Sequence, residues 1–169
     1  KVSSTLPKPD PNENAKTWMP DEKLRALVTD LLKTDDNYLY QKIEKLTSLH
    51  STEKVASFGI KSLKGLERAK ELRYIELSNT QLGVSSNIGI TGFNVFKELK
   101  TFVLRNDKTI TQTANSFIST NFENCAAIYT FQLENIGFSI GPLPKLINAI
   151  PNVGILKLCN CNLHGKIKK

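Results

Sequence analysis

Glu71–Leu82 reads ELRYIELSNTQL. Its apolar residues Leu72, Ile75, Leu77 and Leu82 stand at offsets 0, 3, 5 and 10. A helix would repeat them every three or four residues. A long strand would alternate throughout. Here the alternation lasts only from Ile75 to Leu77. That spacing predicts a short strand with two inward side chains, then a turn that returns Leu82 to the same core.

The phrase recurs. LKTFVLRNDKT places Leu99, Phe102 and Leu104 at the same offsets, with Ile110 one residue late. IYTFQLENIGF gives Ile128, Phe131, Leu133, Ile136 and Phe138, and VGILKLCNCNL gives Val153, Leu156, Leu158, Cys161 and Leu163. Successive units begin 27, 29 and 25 residues apart, at Leu72, Leu99, Ile128 and Val153. VASFGIKSL, with Val55, Phe58, Ile60 and Leu63, reads as a weaker preceding unit. This is the leucine-rich repeat period. Its ninth position usually carries Asn or Cys, whose side chain serves backbone groups in the turn. Here it holds Phe58, Thr80, Asp107, Ile136 and Cys161, so that ladder is expected to be weak or absent. Position eight carries Asn79, Asn106, Asn135 and Asn160, which fixes the alignment.

The expected fold is therefore α/β: a leucine-rich repeat solenoid with a short parallel sheet on the concave side and helices and loops on the convex side. A single unit cannot bury its own apolar face, so the first needs a cap. WMPDEKLRALVTDLLK supplies one. Pro20 suits a helix start, Asp21 and Glu22 favour its positive end, and Leu24, Leu27, Val28, Leu31 and Leu32 share one face. A helix is predicted over about residues 20–33, and a shorter one in NYLYQKIEKL. On the convex side TQTANSFISTNFENC and GPLPKLINAI read as helices, the first with Phe117, Ile118 and Phe122 inward. Segment 83–94 reads as a Gly/Ser/Asn loop before a short helix ending near Leu99. Residues 1–17, with Pro7, Pro9 and Pro11, read as a linker or mature N-terminal tail. The helical cap is placed at 18–45 and the repeats at 46–169, the last one incomplete.

Composition narrows the function. The 169 residues suit one domain or a piece of a longer array, and the formal net charge is +7. The lysines are scattered, so no nucleic-acid partner is expected. No apolar run is long enough to span a bilayer, so no membrane insertion is expected. The chain opens at Lys1 without Met, which fits a processed form. Cys125, Cys159 and Cys161 make an odd count without metal spacing and read as small buried residues. His50 and His164 are far apart in repeat order, and neither adjoins a nucleophile motif. Cys159 or Cys161 with His164 would be a thiol site with no orienting group. The expectation is no catalysis, cofactor or metal. Trp18 is expected to pack on the helix that it introduces.

GIKSLKGLERAKELRYIELSNTQL (Gly59–Leu82) resembles the internalin-type leucine-rich repeats of Gram-positive bacterial surface proteins, in which a G-I-x-S-L-x-G-[IL]-E phrase joins the first repeats. WMPDEKLRALVTDLL followed by KIEKLTSL resembles the helical cap of that group, and NLHGKIKK resembles the L-x-G-x-I phrase of extracellular repeats. The resemblance implies an exported or wall-attached monomer that binds a protein or glycan on a host or cell surface through its concave sheet. It would make residues 1–17 the spacer after a cleaved signal. Two other readings stand beside it, a structural spacer presenting a downstream domain and a cytosolic scaffold.

In each unit positions 2, 3, 5 and 7 face outward on the concave side. From these the candidate ligand-binding residues are Arg73, Tyr74, Glu76, Lys100, Arg105, Tyr129, Gln132 and Lys157, because Tyr and Arg often carry binding energy. Glu76, Val103, Gln132 and Lys157 are expected to form one exposed column beside a buried column of Leu77, Leu104, Leu133 and Leu158.

Overall fold

The structure, a computed structural model, describes residues 14–85 and 87–165. Pro7, Pro9, Pro11 and the KIKK end lie outside the described residues. Five parallel strands pair in chain order: β1 (Ser48–Leu49), β2 (Tyr74–Ser78), β3 (Thr101–Asp107), β4 (Thr130–Ile136) and β6 (Ile155–Cys159). Two further short strands, β5 (Gly141–Pro142) and β7 (Leu163–His164), pair with each other.

The register is the one that the repeat predicts. Ile75, Phe102, Phe131 and Leu156 form one rung, and Leu77, Leu104, Leu133 and Leu158 the next. In β2, β3 and β4 both inward residues have no exposed surface. At β6, Leu158 is only partly buried and Leu156 is 44% exposed, because among the described residues no further strand stacks on it. The expected buried column is thus closed at its first three members and open at its last.

At or next to the ends of β2, β3, β4 and β6 stands a left-handed residue. Asn79, Asn106, Asn135 and Asn160 have φ of 58°, 58°, 55° and 49°. Asparagine tolerates this region better than other side chains, which explains the position-eight column. The Asn135 amide donates to Asn106 Oδ1 at 2.9 Å, and the Asn160 amide to Asn135 Oδ1 at 2.8 Å.

Position nine forms no continuous ladder, since Ile136 has no polar side chain, but Asp107 serves its turns strongly. Asp107 is fully buried, and its carboxylate accepts from Thr80 Oγ1 and the Leu82 amide at 2.8 Å each, and from the Thr109 amide and hydroxyl at 2.9 and 2.6 Å. Ser57, not Phe58, serves the first turn. Its Oγ donates to the Ser78 carbonyl and accepts from the Ser78 amide, both at 2.9 Å. Phe58 is 61% exposed. The first strand accordingly lies at Ser48–Leu49, ahead of the unit read from Val55. Leu46 and Leu49 take the apolar offsets 0 and 3, and Ser51 stands where the next unit has Leu77, which hid the register.

The helix predicted over 20–33 is α2 (Glu22–Leu32). Asp21 Oδ1 accepts from the Lys23 and Leu24 amides, closing the helix start. Its Oδ2 accepts from the Lys61 and Ser62 amides at 2.8 and 3.0 Å, so one carboxylate ties the helix to the first repeat. Leu24, Leu27 and Val28 are completely buried. The shorter helix divides into α3 (Leu39–Lys42) and a 3₁₀ turn at Ile43–Lys45. Asn14 caps a single turn, α1 (Ala15–Trp18), whose Ala15 is buried, so the packed region begins before residue 18. Trp18 is buried as expected, but the ring it meets is Tyr40 of α3 and not a residue of the helix it introduces; the two stand edge-on, with the Arg68 guanidinium over both rings at 5.3 and 5.0 Å. Gly65 permits this approach. It has φ of 96°, and a Cβ there would meet the Trp18 carbonyl at 2.7 Å.

Between β3 and β4, α4 (Ala114–Asn121) starts at a Thr113 cap and buries Phe117 and Ile118. With Phe122 they join an aromatic cluster. Phe122 lies 4.6 Å from Phe93, 4.8 Å from Phe102 and 4.9 Å from Phe131. The short helix expected to end near Leu99 is a single 3₁₀ turn at Phe93–Val95, which begins within the segment read as loop. GPLPKLINAI is not a helix. Its first residues form β5, and 143–146 are irregular. Pro142 and Pro144 lack amide donors and push the residues before them toward extended backbone, and Pro151 closes the segment. Leu143 and Ile147 are consequently exposed, by 42% and 76%.

Candidate functional site

The outward side chains of β2, β3, β4 and β6 make one continuous surface. Just before these strands a backbone ladder crosses the sheet. The Arg73 amide donates to Thr47 O at 2.8 Å, Lys100 to Arg73 O at 2.9 Å, Tyr129 to Lys100 O at 2.9 Å, and Gly154 to Tyr129 O at 2.8 Å. These bonds hold Arg73, Lys100, Tyr129 and Gly154 in one rung.

Next to that rung lies a polar network. Arg105 bridges two carboxylates, Nη1 to Glu76 Oε2 at 2.8 Å and Nε to Glu134 Oε2 at 3.4 Å. The hydrogen bond with Glu76 leads in pushing the Arg105 pKa further up, and both carboxylate charges add to it against burial. Gln132 donates to Glu134 Oε2 at 3.1 Å. Burial, and then the charge and hydrogen bond of Glu76, push the Tyr74 phenol above its ordinary 10.0, with Arg105 opposing. Such a network fixes its side chains before any partner arrives, which lowers the ordering cost of binding.

Of the candidate residues, Tyr74, Glu76, Arg105 and Gln132 converge in this network. Arg73 and Lys100 are exposed on the rung below it, and Lys157 is exposed on β6. Tyr129 is 56% exposed. A Cβ on Gly154 would stand 2.1 Å from Tyr129 Cε2, so the ring lies directly against that glycine's backbone. Val103 departs from the expected exposed column at 5% exposure. Its rung neighbours Glu76 and Gln132 are long, Arg105 stands two residues on, and together they cover it.

Glu134 is the member that the candidate set lacks. Arg105 and Glu134 are direct partners across β3 and β4. An opposite-charge pair at equal positions in adjacent units is the signal that would have found it. Ile155, 54% exposed beside Tyr129, is also outside that set, which was chosen on Tyr and Arg as carriers of binding energy.

The two histidines considered for catalysis stand at opposite ends of the strand order. His50 Nδ1 lies 2.8 Å from the neighbouring Ser51 carbonyl at the end of β1, whereas His164 is exposed on β7. Burial pushes the Cys125 thiol up to about 12 and raises that of Cys161, whose Sγ lies 3.2 Å from the Cys159 carbonyl. Such thiols are weak nucleophiles. Among the described residues no group of three His, Cys, Asp or Glu side chains is placed to hold a metal ion, and no helix is long and apolar enough to cross a membrane.

No protein-family model and no curated protein matches the sequence. Among solved structures, an internalin (inlF) from Listeria monocytogenes is similar over 94% of this chain, with a TM-score of 0.53 and 18% identity. The chain covers 47% of that structure, so it spans about half its length. An internalin C2 (inlC2) from the same organism aligns over 92% of this chain and 100% of its own, at 12% identity and a TM-score of 0.34. The likeness to inlF establishes an internalin-like leucine-rich repeat fold.

Proposed function

We propose that this chain is a binding module. It engages a macromolecular partner, a protein before a glycan, through the outward face of β2, β3, β4 and β6, and performs no turnover. One observation carries this reading. The face presents a pre-ordered network around Arg105, bordered by exposed Arg73, Lys100 and Tyr129, with no catalytic constellation beside it. In this reading α2 caps a solenoid, the module acts as a monomer, and it works outside the cell or on the cell wall as the internalin-like fold suggests. That last step rests on analogy of fold.

The test is capture from host-surface extracts with the wild-type chain and a Tyr74→Ala/Tyr129→Ala variant. Each substitution is expected to weaken a specific interaction by about 1–2 kcal/mol or more, whereas Lys145→Ala, away from this face, leaves it unchanged. Equal recovery of the partner by the double variant would remove this face from consideration. Recovery by neither protein would favour a spacer.

A further inference from the structure

The outward face carries Arg73, Glu76, Lys100, Arg105, Glu134 and Lys157 as its charged side chains. Both carboxylates are engaged by Arg105. Among the described residues the remaining ion pair is Arg25–Asp36, in the helical region. Arg73, Lys100 and Lys157 therefore face solvent without a carboxylate partner, and every uncommitted charge on this face is positive. Glu71 and Glu98, exposed two residues before Arg73 and Lys100, belong to the turns that precede β2 and β3 and not to the strands.

The cations are also ordered relative to apolar surface. Along the rung the sequence is Arg73, Lys100, Tyr129, Gly154, fixed by the backbone ladder. Two of the three cations, Arg73 and Lys100, thus stand side by side just before β2 and β3, whereas Lys157 stands apart on β6. The apolar end lies over β4 and β6, where Tyr129 rests on Gly154 and Ile155 is exposed.

We infer that the partner, if this face binds as proposed above, presents an acidic polypeptide segment that crosses the strands along this rung. Its carboxylates meet Arg73 and Lys100, and an apolar side chain packs on Tyr129 and Ile155. Strands lie about 4.8 Å apart, so the rung spans roughly 14 Å. An extended peptide covers that in about four or five residues. Three separated cations mixed with apolar surface suit discrete carboxylates and a side chain better than a polysulfated glycan, which needs a dense basic patch.

The experiment selects random peptides displayed on phage against the immobilised whole chain and measures synthetic copies of the enriched sequences by fluorescence anisotropy. A heparin oligosaccharide serves as the parallel probe. The expected result is enrichment of sequences with Asp or Glu a few residues from an aromatic or aliphatic residue. Their affinity should fall about tenfold in Arg73→Glu/Lys100→Glu and in Tyr129→Ala, and severalfold as salt rises from roughly 50 to 300 mM. Selection on Arg73→Glu/Lys100→Glu should turn to basic sequences. All these residues are exposed, so the variants should melt with the parent, and Lys145→Ala should bind as the parent does.

Enrichment of neutral or basic peptides that still depend on Tyr129 would overturn the acidic partner while keeping the face. Peptides indifferent to all three substitutions, or no enrichment, would overturn the face itself. Heparin binding that depends on Arg73 and Lys100, without acidic peptides, would assign the rung to an anionic glycan and overturn the inference.

Discussion

Replacing Asp107 with Ala should destabilise the chain more than any exposed substitution on the sheet. The carboxylate is fully buried and accepts four hydrogen bonds. Two of the donors are hydroxyls, of Thr80 and Thr109, which can rotate toward other acceptors. The other two are the amides of Leu82 and Thr109, which the turn holds in place. Leaving a buried donor unmatched costs about 1–3 kcal/mol, so the two amides together cost about 4 kcal/mol. Domain stability is typically about 5–15 kcal/mol. With a urea m-value of about 2 kcal/mol/M, the midpoint should move down by about 2 M. Asp107→Asn keeps one acceptor oxygen and should lose about half as much. Equilibrium unfolding followed by circular dichroism reads both. A midpoint for Asp107→Ala within about 0.5 M of the parent, at unchanged slope, would refute the idea that this carboxylate holds the turns after β2 and β3.

Leu27→Ala should cost about 2–5 kcal/mol because Leu27 is completely buried; a Leu27→Asp variant that melts like the parent would show that α2 is dispensable. Gly154→Ala should push the Tyr129 ring off its seat, shifting its NMR resonances and weakening any partner as Tyr129→Ala does, with little change in melting temperature. At high pH the folded chain keeps its Cys125 proton while the unfolded chain loses it. The stability from this site is therefore whole below pH 9 and declines toward about 12. Cys125→Ala should flatten that decline in a pH series of urea midpoints. Iodoacetamide should label half-buried Cys159 before buried Cys125 and Cys161, which peptide mass mapping can check.

The repeat was legible because its signal is periodic and redundant. Leu77, Leu104 and Leu133 each repeat the same inward choice. Ser51 broke that redundancy, and the first strand went unread. The Asn column was visible, but its cause was not, since a left-handed φ leaves no mark except the residue that tolerates it. Asp107 looked like a defect in a column of mixed residues. Only the fold shows that Thr80, Leu82 and Thr109 all donate to it. GPLPKLINAI misled because apolar spacing survived while its prolines removed the donors that a helix needs. On the outward face Arg73, Lys100 and Tyr129 could be placed by register alone. The Arg105–Glu134 pair needed two units to be aligned side by side, and the seat of Tyr129 on Gly154 needed coordinates.

The left-handed asparagines have a further consequence: they work as alignment stops. Suppose β3 slid by one residue against its neighbours. Arg105 or Asp107 would then have to take the left-handed well, which costs a side chain such as that of Arg about 1–2 kcal/mol and that of Asp less. The same slip would turn Phe102 and Leu104 out to water and bring Val103 and Arg105 inward. A mispaired unit thus meets a backbone penalty and a packing penalty together. The side-chain bonds from Asn106 through Asn135 to Asn160 mark the correct stop from one unit to the next. In a sheet whose units look alike, that is how each strand is told which copy of the pattern is its own.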